Sequence, residues 1–262
     1  MPTMDLENIY REEDLFPREF AAYAEREYGL LFFNDSNKDS YDSNHAIIFK
    51  DKITDLHNVL ADITAFYREK GIKPVIYQSI TDDGYFERNR ALFAAHGYEV
   101  FGEENRFMVA LDVCKIKPNL LVEVRKVDAW DGAFRTEIFE AAGEPWEADV
   151  ARLALKKENT LFFVAYIDGR PVGMTHAHTK DGVCRIDYLL VATNHRRKGV
   201  GRAIMHSFMA YCKEHKVENC FLWPDGESAE RIYHEAGFRL VEVKTAGRAV
   251  YNKVNFNSPS VN

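Results

Sequence analysis

A basic, glycine-bearing stretch, HRRKGVGRA (195–203), directly follows the apolar run IDYLLVA and has residues suited to binding phosphate. Gly199 and Gly201 lack the Cβ atoms that would keep a pyrophosphate from the backbone, and glycine tolerates φ > 0. Where a strand enters a helix through such a turn, free backbone N–H groups and the helix dipole favour an anion. Four basic side chains would neutralise its charge: Arg196, Arg197, Lys198 and Arg202.

The stretch matches neither of two established phosphate-binding patterns. The dinucleotide pattern G-x-G-x-x-G lacks its third glycine because Ile204 stands there, and no Gly-Lys-Ser/Thr follows as in a P-loop. Taken alone, the glycines therefore favour an ordinary strand-to-helix turn with solvated basic side chains. The neighbouring elements decide between the two interpretations.

Hydrophobic periodicity and turn residues predict those elements. Before the glycines we expect a strand, a helical stretch broken once and three strands joined by Asp-Gly turns: LVEVRKV, Asp128 to about Glu158 with a break near Gly143-Glu-Pro145, and 160–192 with turns at Asp168-Gly169 and Asp181-Gly182. After them we expect a helix, a short strand, a helix ended by glycine and two closing strands: 200–217, NCFLWP, SAERIYHEAG with Gly237, FRLVEV and AVYNKV.

The earlier half of the chain repeats the later elements in the same order. The segment 91–111 aligns with 231–254 at one offset, which pairs Phe93 with Tyr233. Upstream, KPVIYQSI parallels ENCFLWPD, and the helical TDLHNVLADITAFYREKG parallels VGRAIMHSFMAYCKEHKV. Four elements in one order favour a true repeat, and the chain divides near 115–119.

The motif order resembles the GNAT superfamily of acyl-CoA-dependent N-acyltransferases over roughly residues 119–256. The residues that carry it are Leu189-Leu190-Val191, Arg196-x-x-Gly199-x-Gly201 and Tyr233-His-Glu-Ala-Gly237-Phe238. The resemblance implies an α/β (α+β) fold, with a mixed, mostly antiparallel sheet flanked by helices, in two related domains. Residues 1–116 would form a degenerate GNAT-like domain, similar only to the C-terminal part of the fold, and 117–262 a complete one.

The resemblance also implies roles for individual residues. The CoA pyrophosphate would be held by the motif and its neighbours: Arg196, Arg197, Lys198, Gly199, Val200, Gly201 and Arg202. Leu189, Leu190 and Val191 would offer a strand edge along which pantetheine lies, a form of β-augmentation. A backbone N–H near Val191 would stabilise the developing oxyanion. The Tyr233 hydroxyl would contact CoA and assist departure of the thiolate.

Two features depart from the family pattern. Many relatives carry Asn seven residues before the tyrosine, where this sequence has Gly226. The first half has no glycine between Gly29 and Gly71, and Phe93 replaces the tyrosine. We therefore expect the first half to lack both the anion site and the acid, and to serve a structural or acceptor-shaping role.

Attack requires a neutral amine, so a base or a water chain must remove a proton. Tyr233 is the candidate acid and Asp187 a candidate catalytic base. Tyr188, His176 and His178 remain open as alternative bases. The two-residue period of a strand predicts that His176 and His178 share a face, as do Asp187 and Leu189. By resemblance, the segment 137–149 lies over the acceptor, where five acidic residues would suit a cationic amine: Glu137, Glu140, Glu144, Glu147 and Asp149.

Composition disfavours several other classes of protein. With 34 basic and 41 acidic residues, the net charge of −7 argues against nucleic-acid binding. No apolar run approaches the ~18 residues of a membrane helix, and the acidic MPTMDLENIYREED lacks the apolar core of a signal peptide. Four cysteines without metal-ligand spacing favour reduced, mostly buried thiols: Cys114, Cys184, Cys212 and Cys220. We expect a cytoplasmic monomer or homodimer without a metal.

Three functions are compatible with the sequence. The first is an acetyl-CoA-dependent N-acetyltransferase that acetylates a primary amine of a small molecule or a peptide by direct transfer. The second uses a longer acyl-CoA or an amino-acid acceptor. The third is a CoA-binding module without turnover, for which the glycine at Gly226 gives modest support.

Overall fold

A computed structural model describes residues 5–252, and these residues divide into two compact units. Unit 1 comprises residues 5–12 and 106–243, and unit 2 comprises 13–105 and 244–252. Each unit is therefore formed by two separate segments of the chain. The predicted division into 1–116 and 117–262 stays a prediction about the two halves of the repeat.

The strands and helices are numbered in chain order. The strands are β1 (Ala22–Arg26), β2 (Gly29–Phe33), β3 (Ala46–Ile48), β4 (Val75–Gln78), β5 (Tyr98–Ala110), β6 (Glu123–Lys126), β7 (Thr160–Ile167), β8 (Arg170–Lys180), β9 (Val183–Val191), β10 (Cys220–Leu222) and β11 (Phe238–Tyr251). The α-helices are α1 (Leu6–Leu15), α2 (Leu56–Glu69), α3 (Tyr85–Arg88), α4 (Arg90–Ala95), α5 (Glu147–Ala154), α6 (Val200–His215) and α7 (Gly226–Ala236). One π-helix (Arg135–Glu140) and short 3₁₀ turns complete the set.

Unit 1 is built on an antiparallel meander, β6-β7-β8-β9, and β10 then pairs parallel to β9. Both hairpin turns have positive φ at each central residue, 50° and 77° at Asp168-Gly169 and 48° and 80° at Asp181-Gly182. These values are what a two-residue hairpin of type I′ requires. The three strands predicted over 160–192 are confirmed, as is the mixed, mostly antiparallel sheet flanked by helices.

The sheet of unit 1 buries a different apolar cluster on each face, because side chains alternate along a strand. The π-helix face packs against the π-helix and α5 through Phe162, Val164, Met174, Leu190, Phe134, Ile138, Phe139 and Ala151. The α6 face packs against α6 and α7 through Leu161, Phe163, Ala177, Ile186, Met205, Phe208 and Tyr233. The two clusters hold β8 and β9 firmly from both sides.

Unit 2 contains the elements that the repeat predicts, α2, β4, α4 and the strand after it, in the expected order. It also contains an antiparallel meander, β1-β2-β3, and β3 pairs parallel to β4. The first half thus matches more than the C-terminal part of the later half, which the sequence did not indicate. The meander was missed because its strands are short, three to five residues each.

One long strand, β11, stands in place of the two closing strands predicted. Gly247 lies between the two predicted segments, and its φ is outside the left-handed region. A Cβ at this position would lie 3.0 Å from the carbonyl oxygen of Phe101, so the glycine permits a close backbone approach. The last two residues of the predicted closing strand, 253 and 254, lie outside the described residues. Within 5–252, no helix is both long and apolar enough to cross a bilayer.

Gly237→Ala should destabilise the protein more than Gly143→Ala. Both glycines have left-handed φ, +102° and +89°, so both substitutions strain the backbone. Only at Gly237 would the new Cβ also meet backbone, 2.2 Å from the carbonyl oxygen of Asp112. We expect losses of about 2–4 kcal/mol at Gly237 and about 1 kcal/mol at Gly143, measured as the free energy of unfolding in urea. Equal losses would contradict the role of the close approach.

Candidate functional site

The edge of β9 loses its β10 neighbour about a third of the way along the strand. The described pairing with β10 stops at Arg185, which lies opposite Phe221. β10 ends one residue later, and Pro224 beyond it has no N–H to continue a ladder. β9 continues to Val191 while pairing with β8 on its other side. The structure therefore places the predicted Leu189, Leu190 and Val191 on a strand edge that β10 leaves open.

A β-bulge lies directly beside the point where β9 and β10 stop pairing. His176 pairs with Tyr188 and Ala177 with Ile186, so Asp187 is an extra residue in β9. The bulge reverses the alternation of side chains beyond it. Asp187 contacts His176 on the π-helix face, whereas Leu189 packs with the α6 face. The prediction that Asp187 and Leu189 share a face is therefore wrong, while His176 and His178 do lie in ring contact.

The predicted anion site forms the start of α6. Gly199 is the N-cap residue, with φ +81°, and no side chain caps the helix. Arg197 also has a left-handed φ, +61°, beside the extended Arg196. The first N–H groups of a helix have no partner within it. The backbone at this point is arranged as an anion-binding helix N-terminus is.

The four basic side chains of the stretch have different partners. Arg196 donates to the carbonyl oxygens of Val191 (3.2 Å) and Ala142 (3.3 Å), so it fixes the loop. Arg202 forms a bidentate pair with Glu235 on α7, with both N–O distances 2.6 Å. The side chains of Arg197 and Lys198 are exposed at the surface. The sequence predicted that all four side chains surround one anion. In the structure, two of them, Arg196 and Arg202, contact other groups of the protein.

Gly201 has a different role from Gly199. Its φ lies outside the left-handed region, and a Cβ would meet Ile232 at 3.5 Å and Leu189 at 3.7 Å, which are ordinary contacts. The glycine thus leaves a small space between the first turn of α6, the edge strand and α7. Only Gly199 requires the conformational freedom that the sequence suggested for both.

Asn119 supports the anion site and was not recognised from the sequence. Its side-chain amide donates to the carbonyl oxygen of Lys198 at 3.0 Å. Its Cβ would lie 3.3 Å from a Cβ placed on Gly199. The sequence marked this asparagine only as part of a break between strands, because a contact across 79 positions leaves no local signal.

Tyr233 lies buried on α7 within the α6-face cluster, against which Leu189 also packs. Its ring meets Phe238 edge-on, with centroids 6.0 Å apart. Burial, together with repulsion from Asp225, raises the pKa of Tyr233 to about 12. The hydroxyl therefore keeps its proton throughout the neutral range. At the start of the same helix, Gly226 has φ +80°, and a Cβ added there would meet no described atom within 4 Å.

Asp187 belongs to a buried charged network. One carboxylate oxygen accepts from Arg185, and the other lies 3.4 Å from Nε2 of His176. Burial acts to raise the pKa of Asp187, but Arg185 and His176 together hold that pKa below its usual value. The predicted base is therefore a stable carboxylate at neutral pH, with a weak affinity for protons.

The two strand histidines are buried on the π-helix face. The ring of His176 is stacked between Phe162 and Tyr188, its partners in register on the neighbouring strands. Burial lowers the pKa of His176, although Asp187 opposes this, and it lowers that of His178 to about 3. Thr160 lies 3.3 Å from Nδ1 of His178. Both imidazoles are neutral at pH 7.

The acidic residues predicted over the acceptor do not share one environment. Glu137 and Glu140 are exposed, whereas Glu147 is buried. Asp149 pairs with two guanidinium groups, Arg135 at 2.7 Å and Arg152 at 3.3 Å. Their charge is therefore partly neutralised or solvated, which weakens the case for a cationic acceptor.

Unit 2 lacks both features of the site within its described residues. β3 and β4 pair to their ends, at Ile48 and Gln78, so β4 covers the edge of β3 along its whole length. The N-terminus of α2 is capped by Asp55, whose carboxylate accepts from the backbone N–H groups of His57 (2.9 Å) and Asn58 (3.4 Å). This anion belongs to the chain itself and excludes another. Phe93 is fully buried on α4.

Comparison with known proteins is consistent with this geometry. The family model described as "Acetyltransferase (GNAT) family" matches residues 128–238. A GCN5-related N-acetyltransferase from Kribbella flavida shares the fold at 15% identity and a TM-score of 0.67, over 93% of this chain and 94% of that one. A conserved protein of unknown function from Staphylococcus epidermidis is similar at 16% identity and 0.58, over 95% and 97%.

A tandem GNAT protein from the clavulanic acid biosynthesis pathway also has this fold, at 12% identity and a TM-score of 0.52, over 80% of this chain and 76% of that one. No curated protein shows significant sequence similarity to the chain. The family match extends from the residues before the π-helix to the first residue of β11, and includes the open strand edge and the start of α6. Residues 128–238 of unit 1 thus match the model of the GNAT acetyltransferase family, and the chain shares the fold of GNAT structures.

Proposed function

We propose that this protein transfers the acetyl group of acetyl-CoA directly to a primary amine of a small molecule or a peptide. The observation that carries the proposal is the open edge of β9, which leads to an uncapped helix N-terminus at Gly199. An extended, amide-bearing chain with a pyrophosphate at one end fits this combination of a strand edge and an anion site. The free thiols of the chain favour a reducing compartment such as the cytoplasm.

The residues present suit acetyl-CoA as the substrate. The backbone over 197–202 would bind the pyrophosphate, with the exposed Arg197 and Lys198 adding charge. The backbone N–H and C=O groups of Leu189–Val191 would pair with pantetheine amides. Because Arg202 is already paired with Glu235, we assign its contribution to the backbone N–H and not to the guanidinium.

The chemical step needs two proton movements besides attack on the thioester. As the C–N bond forms and the C–S bond breaks, the amine nitrogen loses a proton and the CoA thiolate gains one. Tyr233 would donate the second proton, because its raised pKa keeps the hydroxyl protonated beside the edge strand. A backbone N–H near Val191 would stabilise the oxyanion during attack.

Gly201→Glu should abolish CoA binding while the protein remains folded. The new carboxylate would lie in the first turn of α6, where it opposes a pyrophosphate by charge and by bulk. We expect CoA affinity to fall by about 100-fold or more, equivalent to about 2.7 kcal/mol, by calorimetry. Gly132→Glu adds the same charge in unit 1 where a Cβ meets nothing within 4 Å, and should bind CoA normally. Unchanged affinity in folded Gly201→Glu would refute the site.

One CoA should bind per chain, in unit 1. In unit 2 the strand edge is covered by β4 and the helix N-terminus is occupied by the Asp55 carboxylate. Calorimetry should therefore give a stoichiometry of one, and Gly201→Glu should remove the whole signal. A stoichiometry of two, or a residual site in Gly201→Glu, would show that unit 2 also binds CoA.

Tyr233→Phe should reduce kcat by about 10²-fold and leave CoA affinity within about twofold, because it removes a proton donor and little volume. Release of CoA thiol with a panel of primary amines measures kcat. Tyr211→Phe, on α6 and stacked on His215, is the matched control and should be unaffected. Full kcat in Tyr233→Phe would assign this tyrosine to packing.

The same assay separates the alternatives. Turnover of longer acyl-CoA compounds or acetylation of amino acids would favour the second candidate over the first. Tight CoA binding without thiol release for any amine would favour a non-catalytic CoA-binding module, which the absence of a side chain at Gly226 supports.

A further inference from the structure

His176 is a buried imidazole of which only one nitrogen has a protein partner among the described residues. Its side chain is 1% exposed, and Nε2 lies 3.4 Å from a carboxylate oxygen of Asp187. Nδ1 is also buried and has no hydrogen-bond partner within the part of the chain that the structure describes. A buried polar atom without a partner costs about 1–3 kcal/mol, so such an atom calls for a functional explanation.

We infer that His176 is the base that accepts the proton of the attacking amine, and that Asp187 is the positioning residue that orients it. This inference rests on the proposed N-acetyltransferase function and assigns the base that the function needs. Asp187, the candidate base of the sequence analysis, thereby takes a positioning role.

The Asp187 contact fixes which nitrogen can accept a proton. An ionised carboxylate only accepts hydrogen bonds, so the neutral imidazole facing it carries its hydrogen on Nε2. Nδ1 then has the lone pair. The carboxylate also stabilises the imidazolium that forms when Nδ1 takes a proton.

Asp187 itself is poorly suited to be the base. Arg185 occupies one of its carboxylate oxygens, and His176 faces the other. These two cationic or hydrogen-bonding partners stabilise the ionised carboxylate, so it holds a proton weakly. Its contacts resemble those of a residue that orients an imidazole.

Three aromatic rings surround His176. Phe162 on β7 and Tyr188 on β9 are stacked with its ring, and His178 touches its edge. Burial is the largest influence on the pKa of His176 and lowers it, Asp187 raises it and Arg185 lowers it. His178 lies beside the ring on the same strand, and α5, which packs on this face, carries the buried Glu147. A neutral base in this setting favours a neutral, desolvated amine.

The bulge gives the base and the acid opposite sides of the reacting strand edge. His176 on β8 and Asp187 on β9 lie on the π-helix face of the sheet, while Tyr233 packs with Leu189 on the α6 face. In the tetrahedral intermediate the amine nitrogen and the CoA sulfur are separate substituents of one carbon. A base on one face and an acid on the other can therefore each serve one of the two atoms. A π-helix next to this face agrees with the frequent occurrence of such turns at functional sites.

The bonds and protons of the acetyl transfer balance. The amine nitrogen forms the C–N bond with its lone pair, and its proton passes to Nδ1 of His176. The C–S electron pair leaves with CoA, which takes a proton from Tyr233. The imidazolium proton returns through solvent to the tyrosinate, so both residues are restored and the products are an amide and CoA thiol.

Three variants test the inference with the amine that the wild-type enzyme turns over fastest. His176→Gln should lower kcat by about 10²- to 10⁴-fold with CoA affinity unchanged by calorimetry. Asp187→Asn should also lower kcat, because an amide can turn its NH₂ toward Nε2 and favour the wrong tautomer. His45→Gln is the matched control, since it replaces a buried histidine of unit 2 that is not part of the candidate site, and should retain most of the wild-type kcat.

The pH dependence supplies a readout that a merely structural role would not change. In the wild type, kcat should fall on the acid side as the imidazole of His176 becomes protonated. In Asp187→Asn this acid limb should move to lower pH, because loss of the carboxylate disfavours the imidazolium. Nitrogen-15 NMR of the His176 ring should show hydrogen on Nε2 in the wild type and a shift toward Nδ1 in Asp187→Asn.

The possible failures are distinguishable. If the wild type releases no CoA thiol with any amine, the proposed function fails. If it does so and His176→Gln keeps kcat within about threefold, or the acid limb is unmoved in folded Asp187→Asn, the assignment of His176 is wrong. If His176→Gln does not fold, the test rests on the acid limb of the kcat profile in Asp187→Asn and on NMR of the His176 ring. Hydrogen on Nδ1 in the wild type would overturn the inference.

Discussion

The early end of pairing between β9 and β10 is the constraint on which the site depends. β10 has three residues and stops before Pro224, while the bulge at Asp187 adds twist to β9 where the two strands separate. Beyond that point, the backbone N–H and C=O groups of β9 that face away from β8 must find partners outside the sheet. β10 does not extend far enough to cover them, and α6 begins just past them. Strand edge and helix N-terminus thus form one continuous polar track.

Unit 2 shows that the fold alone does not create this track. From β1 to β5 the elements follow the order of β7 to β11, yet β3 ends where β4 ends, and α2 begins with an aspartate cap in place of a glycine. In unit 2 the edge of β3 is thus paired with β4, and Asp55 binds the free N–H groups of α2. The function proposed for unit 1 therefore depends on how a strand edge and a helix start are completed, and not on the architecture alone.

The sequence predicts local features of this protein much better than contacts between distant residues. The Asp-Gly turns and Gly237 were identified because a tight turn or a helix end restricts φ at specific positions. The bulge at Asp187 was missed, because register is set by pairing with β8 and not by the residue itself. Asn119 and the pair between Arg202 and Glu235 were missed for the same reason. The motif located the candidate site, but not which of its basic side chains were already engaged.

Gly201 connects the anion site to the position of Tyr233. The pair between Arg202 and Glu235 joins α6 to α7, but both side chains are more than two-fifths exposed, so solvent screening leaves it about 1 kcal/mol at most. Apolar packing is the stronger link: Ile232 and Leu189 both lie within 4 Å of the Cβ position of Gly201. A larger side chain there would push α7 away from the edge strand, and Tyr233 would move with its neighbour Ile232. In the proposed mechanism, Gly201 therefore both leaves the backbone accessible to a pyrophosphate and sets the distance between the edge of β9 and Tyr233.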